Sequence, residues 1–161
     1  GINAGGSADV ITDEEWDLVM GVNMTGAHYC SQAVYPAMKA KGGGKIINIG
    51  SMMSIFGRRS TPAYAASKGA IVQYTKALAC DWADDNIQAN AILPGWIDTD
   101  LTRRLRRAIP PLEEAVTQRT PAAKWGTPDD LAGLGLFLAS PASDFITGAA
   151  IPADGGYSVQ G

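Results

Sequence analysis

Residues 45–51 read Lys45-Ile46-Ile47-Asn48-Ile49-Gly50-Ser51, and residues 64–70 read Tyr64-Ala65-Ala66-Ser67-Lys68-Gly69-Ala70. The first is a short apolar run that predicts a buried strand over 45–50. The second lies inside an alanine-rich stretch, 63–84, with Ile71, Leu78 and Trp82 along it, which predicts a long helix entered at Pro62. Between them, 51–61 reads as a loop carrying Arg58 and Arg59. A second strand follows over Gln88–Leu93, closed by Pro94-Gly95. Strand, long helix, strand is a unit that pairs in parallel through a right-handed crossover.

The same alternation extends outward. Upstream, Thr12-x-x-Glu15 fits a capping box with Asp13 and Glu14 in the first turn. From there Trp16, Met20, Asn23, Ala27, Cys30, Val34 and Met38 recur every three or four residues and predict one helix running to about Lys41. Asn23 is the polar exception on that face, and Gly42-Gly43-Gly44 ends the helix. Downstream, 96–126 reads as an irregular stretch with a basic short helix (Leu101 to Arg107) and a helical turn (Leu112 to Arg119). Long connections of this kind usually serve function. Thr127-Pro128-Asp129-Asp130 starts a helix ending near Ser140, and Ala149–Ala153 predicts a last strand. The fold class expected is α/β with a parallel sheet, in a single domain over 1–161.

Composition narrows the function. The 161 residues are 46% hydrophobic and 18% charged, which predicts a folded globular chain. The net charge of −3 and the absence of a basic block argue against a nucleic-acid or anionic-membrane surface. No apolar run reaches a membrane span, and residues 1–6 lack a signal-peptide pattern. Two cysteines without a CxxC, and one histidine, argue against a disulfide framework and a zinc site. A cytoplasmic domain that handles small molecules, with no metal, is expected.

Tyr64 and Lys68, at i and i+4, share a helical face. Phenols titrate near 10, and a neighbouring ammonium lowers that value, so such a pair can exchange a proton with an alcohol/ketone couple. Ser51 stands at the end of a strand and Asn23 on an apolar helix face. Each has a plainer reading. Ser51 can simply end the strand, Asn23 can satisfy backbone groups at a helix kink, and Pro94-Gly95 can be only a turn. His28 reads as structural or exposed. Arg103, Arg104, Arg106 and Arg107 read either as a solvated helix face or as a clamp for an acidic substrate such as a sugar acid.

Taken together, Asn3-Ala4-Gly5, the helix Asn23, the strand-end Ser51, Tyr64-x-x-x-Lys68, Pro94-Gly95-x-Ile97-x-Thr99, Thr147-Gly148 and Asp154-Gly155-Gly156 occur in order along the whole chain. The sequence thus resembles the classical short-chain dehydrogenases/reductases. The resemblance implies a partial Rossmann-like, doubly wound parallel sheet with long helices, lacking the first βαβ units. It implies hydride transfer between NAD or NADP and an alcohol/ketone of sugar, polyol, sugar-acid or oxoacyl type. Tyr64 would be the acid/base, with Lys68 tuning it and holding the nicotinamide ribose. Ser51 would hold the substrate oxygen, and Asn23 a relay water. Asn3, Pro94, Gly95, Ile97 and Thr99 would line the cofactor. Ser51, Met53 and Trp96 would contact substrate, and 96–126 would be the variable substrate loop.

The family's glycine-rich phosphate turn is not matched: Gly42-Gly43-Gly44 precedes a strand instead of following one. Ile2 stands where many relatives carry a second asparagine. The resemblance therefore covers the C-terminal, catalytic portion. It also implies a homo-oligomer, dimer or tetramer, formed through the two long helices. The alternative is a truncated, non-catalytic remnant acting as an assembly module.

Overall fold

A computed structural model describes residues 1–160. Its elements are α1 (Asp13–Met20), a π-helical turn (Gly21–Thr25), α2 (Gly26–Lys41), β1 (Gly44–Ile49), α3 (Pro62–Asp81), β2 (Ile87–Pro94), α4 (Asp100–Ala108), α5 (Leu112–Arg119), α6 (Pro128–Ala139) and β3 (Ala150–Ala153). Short 3-10 turns at Met52–Ser54, Ala83–Asp85 and Pro141–Ser143 fill the connections.

The three strands form one parallel sheet in the order β1-β2-β3. Gly44 to Ile49 pair with Ile87 to Ile92, and Ala91 to Pro94 with Ala150 to Ala153. Central β2 is buried from Ile87 to Leu93, as a strand covered on both faces should be. β1 lies at the sheet edge, and its outer side has no partner strand among the described residues. One sheet face carries Ile46, Ile87 and Ala89, which cluster with Leu78 and Ala79 of α3. Tyr35 and Met38 of α2 and Trp82 pack against this cluster, with Tyr35 and Trp82 stacked at 4.6 Å. A second cluster, Met52, Val72, Ala91, Leu93 and Tyr157, lies toward the carboxyl ends of the strands. Burying a side chain such as Ile71 or Leu93 stabilises by roughly 1.5–3 kcal/mol. Polar groups inside are paired. Asn48 donates to Thr75 Oγ1 at 2.9 Å, and Asn90 donates to the Ile146 carbonyl (2.8 Å) while accepting from Ala149 N (3.0 Å).

The helix expected from Thr12 to Lys41 is interrupted. The capping box forms, with Glu15 N on Thr12 Oγ1 and Thr12 N on the Glu15 carboxylate. At Gly21–Thr25, however, the chain takes a π turn that inserts one extra residue. Gly42 then ends α2 in the left-handed region, φ 83°, where its amide and that of Gly43 close onto Lys39 and Met38.

The stretch 96–126 holds the two helical pieces expected of it and adds a closure that the sequence does not show. Two helices, α4 and α5, occupy it, and a parallel bridge between Ile97 and Gly126 pins its ends together. Asp98 N on Gly126 O (2.7 Å) and Gly126 N on Trp96 O (2.9 Å) complete the closure. Thr127 and Asp130 form the capping box of α6 directly after it.

Candidate active site

Ligand crevices in parallel sheets lie beyond the carboxyl ends of the strands. Here those ends deliver Ser51 just after β1 and Pro94-Gly95 at the end of β2. Gly95 is required by a close approach: a Cβ on it would lie 2.6 Å from Asp154 Cα in the turn after β3. A cavity of about 490 Å³ opens at this point, within the range of small-molecule sites. Ser51, Tyr64, Met53, Trp96, Pro94 and Gly95 all line it, and Asn3 reaches it from the N-terminal segment.

Ser51 is held by its own turn. Its Oγ accepts from Met53 N (3.2 Å), which leaves the O–H available as a donor. Ser54 Oγ accepts from Ser51 N (3.2 Å) and donates to the Lys68 carbonyl (2.7 Å), so one side chain fixes the serine turn to α3. Lys68 lies behind the cavity wall. It is buried, its Nζ donates to the carbonyl of Ile49 at 2.8 Å, and it lies 5.8 Å from the centre of the Tyr64 ring. Burial holds its ammonium below the usual lysine range.

Asn23 is also behind the wall, at the π turn. Its Oδ1 accepts from Ile2 N and its Nδ2 donates to Ile2 O, both at 2.8 Å. Nδ2 also donates to Ser67 Oγ (3.0 Å), and Ser67 donates to the Tyr64 carbonyl (2.8 Å). Asn23 does satisfy backbone groups, but those of the N-terminal segment rather than of its own helix. That bidentate hold places Asn3, the next residue. Residue 1 packs against both buried groups: a Cβ there would lie 2.7 Å from Asn23 Oδ1 and 3.3 Å from Lys68 Nζ.

Besides Lys68, two residues expected at the cofactor do not line this cavity. Ile97 is buried and turns instead into a separate pocket of about 200 Å³ with Thr120, Gly126 and Ala153. Thr99 caps α4, its Oγ1 accepting from Thr102 N. The bridge at Ile97 directs the chain away from the cavity immediately after Trp96.

Sequence reasoning missed several lining residues. Leu101, Leu105 and Ala108 of α4 form one wall together with Arg104, a member of the arginine cluster already singled out, and the i, i+3, i+4, i+7 spacing of the four is the signal for it. Arg58 and Thr61 come from the loop before α3. Within the arginine run, Arg103 pairs with Asp98 and Asp100, and Arg106 with Asp98 and Glu113 while stacking on Trp125. Arg103 holds the Asp98 carboxyl below the usual carboxylate range. Of the four arginines that could form a clamp, Arg103 and Arg106 are committed to neighbouring carboxylates, Arg107 is exposed outside the cavity lining, and Arg104, also exposed, lines the cavity.

Known proteins carry the same architecture. A galactitol 2-dehydrogenase (L-tagatose-forming) of Cereibacter sphaeroides is 42% identical over 149 residues, covering 91% of this chain and 58% of that protein. A 2-dehydro-3-deoxy-D-gluconate 5-dehydrogenase of Dickeya dadantii is 44% identical over 147 residues, covering 91% of this chain and 58% of its own length. The crystal structure of a gluconate 5-dehydrogenase from Burkholderia cenocepacia J2315, in complex with NADP and tartrate, superposes with a TM-score of 0.95 at 41% identity. That match covers 99% of this chain and 62% of that one, so the chain spans little more than half the length of its relatives. The family model described as Enoyl-(Acyl carrier protein) reductase matches residues 2–158, and the chain belongs to the short-chain dehydrogenase/reductase family.

Proposed function

We propose that this chain carries the catalytic portion of an NAD(P)-dependent oxidoreductase acting between an alcohol and a ketone of the sugar, polyol or sugar-acid type. The observation that carries this reading is the convergence of Ser51 and Tyr64 on one cavity, with the buried Lys68 ammonium behind the tyrosine ring. The residues present fit the nicotinamide end of the cofactor. Gly95 brings two backbone turns together at the cavity floor, and Asn3, Pro94 and Gly95 line it. The nicotinamide ring would supply or accept the hydride, which no side chain can do.

The chain's own residues do the rest. Tyr64 gives its phenolic proton to the carbonyl oxygen as negative charge develops there, or takes it from the alcohol in the reverse direction. Ser51, fixed by Met53 N and by Ser54, donates its free O–H to the same oxygen. Lys68 places a positive charge beside the tyrosine and would help hold the cofactor ribose. Asn23 holds the water through which that proton is replaced. Ile97 and Thr99 act on the cofactor indirectly, by fixing the bridge and the first turn of α4. Met53 and Trp96 contact the substrate, and 96–126 forms the substrate loop of this single domain.

We further place the protein in the cytoplasm, supported by two free, exposed cysteines. We expect it to be a homo-oligomer, supported by Leu18, Val22, Tyr29 and Val34, which leave an exposed apolar surface on the first long helix. A folded monomer by sedimentation at low concentration would remove the oligomer.

The test of function is a titration of the chain with NADH and NADPH, followed by nicotinamide fluorescence and by ketone turnover. Saturable binding with reduction of a keto sugar is the expected result. No binding up to millimolar cofactor would overturn the reading for this chain.

A further inference from the structure

The charge on the cavity is unlike the charge on the chain. The protein carries −3 overall, with 16 acidic and 13 basic residues. Yet among the described residues Arg58 and Arg104 are the only charged side chains lining the 490 Å³ cavity, and no carboxylate lines it. Among the described residues neither arginine forms an ion pair, whereas Arg103 and Arg106, on the same helix as Arg104, are both committed to carboxylates. Arg58 and Arg104 are both exposed while lining the cavity, so they set a positive potential at its opening that favours an anionic ligand over a neutral one.

Arg58 is also fixed in place. Its guanidinium stacks over the Trp96 indole at 5.1 Å, an arrangement that leaves the N–H edge of the fork available. The loop carrying it is held by Thr61 Oγ1, which donates to the Arg58 carbonyl at 3.0 Å. Ser60 between them takes a left-handed conformation, φ 60°, which is uncommon outside glycine and asparagine. Backbone strain of this kind persists where the surroundings over-determine it, and such places cluster at ligand sites. Thr61 itself lines the cavity, so the segment that positions Arg58 is part of the wall.

We propose that Arg58 and Arg104 read a carboxylate, so that the preferred substrate is an anionic polyhydroxy acid rather than a neutral polyol. The proposal rests on the dehydrogenase reading of the same cavity and narrows its substrate class. Arg58 supplies a planar, bidentate match to a carboxylate. Arg104 brings a second positive charge from α4. Ser51 and Tyr64 then hold the reacting oxygen elsewhere on the same carbon chain.

The test compares D-gluconate with sorbitol, which has the same carbon skeleton but no carboxylate. Binding is followed by tryptophan fluorescence, since Trp96 lines the cavity, in wild type and in Arg58→Gln, Arg104→Gln and Arg103→Gln. Wild type should bind gluconate at least tenfold more tightly than sorbitol. Arg58→Gln and Arg104→Gln should each weaken gluconate by about tenfold to a hundredfold and leave sorbitol within twofold. Arg103→Gln should change neither. Equal affinity for the two ligands in wild type would overturn the proposal, as would unchanged gluconate binding in both cavity variants. NADPH binding in the same variants identifies a different role: if they lose NADPH affinity but keep the gluconate preference, the pair serves a cofactor phosphate and the proposal fails. If the chain binds gluconate through these arginines but reduces no ketone, the carboxylate site stands and the catalytic reading falls.

Discussion

The segment from Ser51 to Lys68 and the excursion 96–126 face each other across one cavity, yet they are held by different forces. Around Lys68 the contacts are buried and backbone-anchored: Lys68 on Ile49 O, Ser54 on Lys68 O, Ser67 on Tyr64 O, Asn23 on both ends of residue 2. In 96–126 side-chain hydrogen bonds to backbone, Thr102 on Ile97 O and Thr120 on Val116 O, are joined by exposed ion pairs such as Arg103 with Asp98 and Asp100, and the Ile97–Gly126 bridge closes the base. A buried hydrogen bond to backbone fixes a side chain whatever the salt or pH, while an exposed pair contributes little and is screened. The proposed proton-transfer groups and Arg58 of the proposed carboxylate pair therefore lie in the backbone-anchored segment, and Arg104 of that pair lies in the ion-paired one.

The largest effect should come from breaking the rigid side chemically. Tyr64→Phe should lower turnover by roughly a hundredfold to ten-thousandfold. Its melting temperature should stay close to wild type, because the backbone carbonyl that Ser67 uses is retained. Turnover retained in the variant would remove Tyr64 from the acid/base role.

Next is Asn23→Leu, which strips partners from Ile2 N, Ile2 O and Ser67 Oγ together. A loss of about 1–3 kcal/mol is expected in urea unfolding, the cost of roughly one buried group left unpaired, because Ile2 is only half-buried and can turn to water. A loss below 1 kcal/mol would show that the N-terminal segment does not depend on it.

A smaller effect separates the sides by pH. Burial lowers the Lys68 pKa from its ordinary 10.5. Between the lowered value and 10.5 the unfolded chain binds more protons, so folding stability rises with pH in that window. Wild type should therefore gain on Lys68→Met as pH climbs toward 10.5. A difference that stays flat would mean the ammonium is not penalised.

The smallest belongs to the exposed side. Bonds from Thr127 and Lys124 hold the Asp130 carboxyl at about 2, below its ordinary 3.8. Its contribution is complete above the unfolded value and disappears as pH falls through about 2. Asp130→Asn should thus melt slightly earlier at pH 7 and match wild type near pH 2. An equal deficit at both would assign the cap's worth to geometry rather than charge.

The β1–α3–β2 unit was legible because its side chains follow simple periods: apolar 45–49, alanine-rich 63–81, and β2 buried throughout. Ser51, Tyr64, Pro94 and Gly95 could be placed for the same reason, since the carboxyl ends of adjacent parallel strands must lie together. Ile97 and Thr99 could not, because the direction of the chain after Trp96 is set by a bridge to Gly126, twenty-nine positions beyond Ile97. The arginine run was legible as charge but not as pairing. Which member is committed depends on where Asp98 and Glu113 fall after 96–126 folds, and no local period encodes that. Arg58 gave no signal beyond lying in a loop, since its partner Trp96 belongs to another strand's end.

The π turn at Gly21–Thr25 makes the first long helix a counting device. Each residue advances an α-helix by about 100°, so the one surplus residue sets the rotational phase between α1 and α2. With it, Asn23 faces Ile2 and Ser67 while Tyr29 and Val34 face outward. Deleting a single residue there would let the helix close into a regular spiral and turn everything beyond it by that angle. The asparagine would then leave the buried network in the same movement that rotates the outward apolar stripe. The buried network around Asn23 and the outward apolar stripe are thus locked to one count along the chain, and neither can be re-phased without the other.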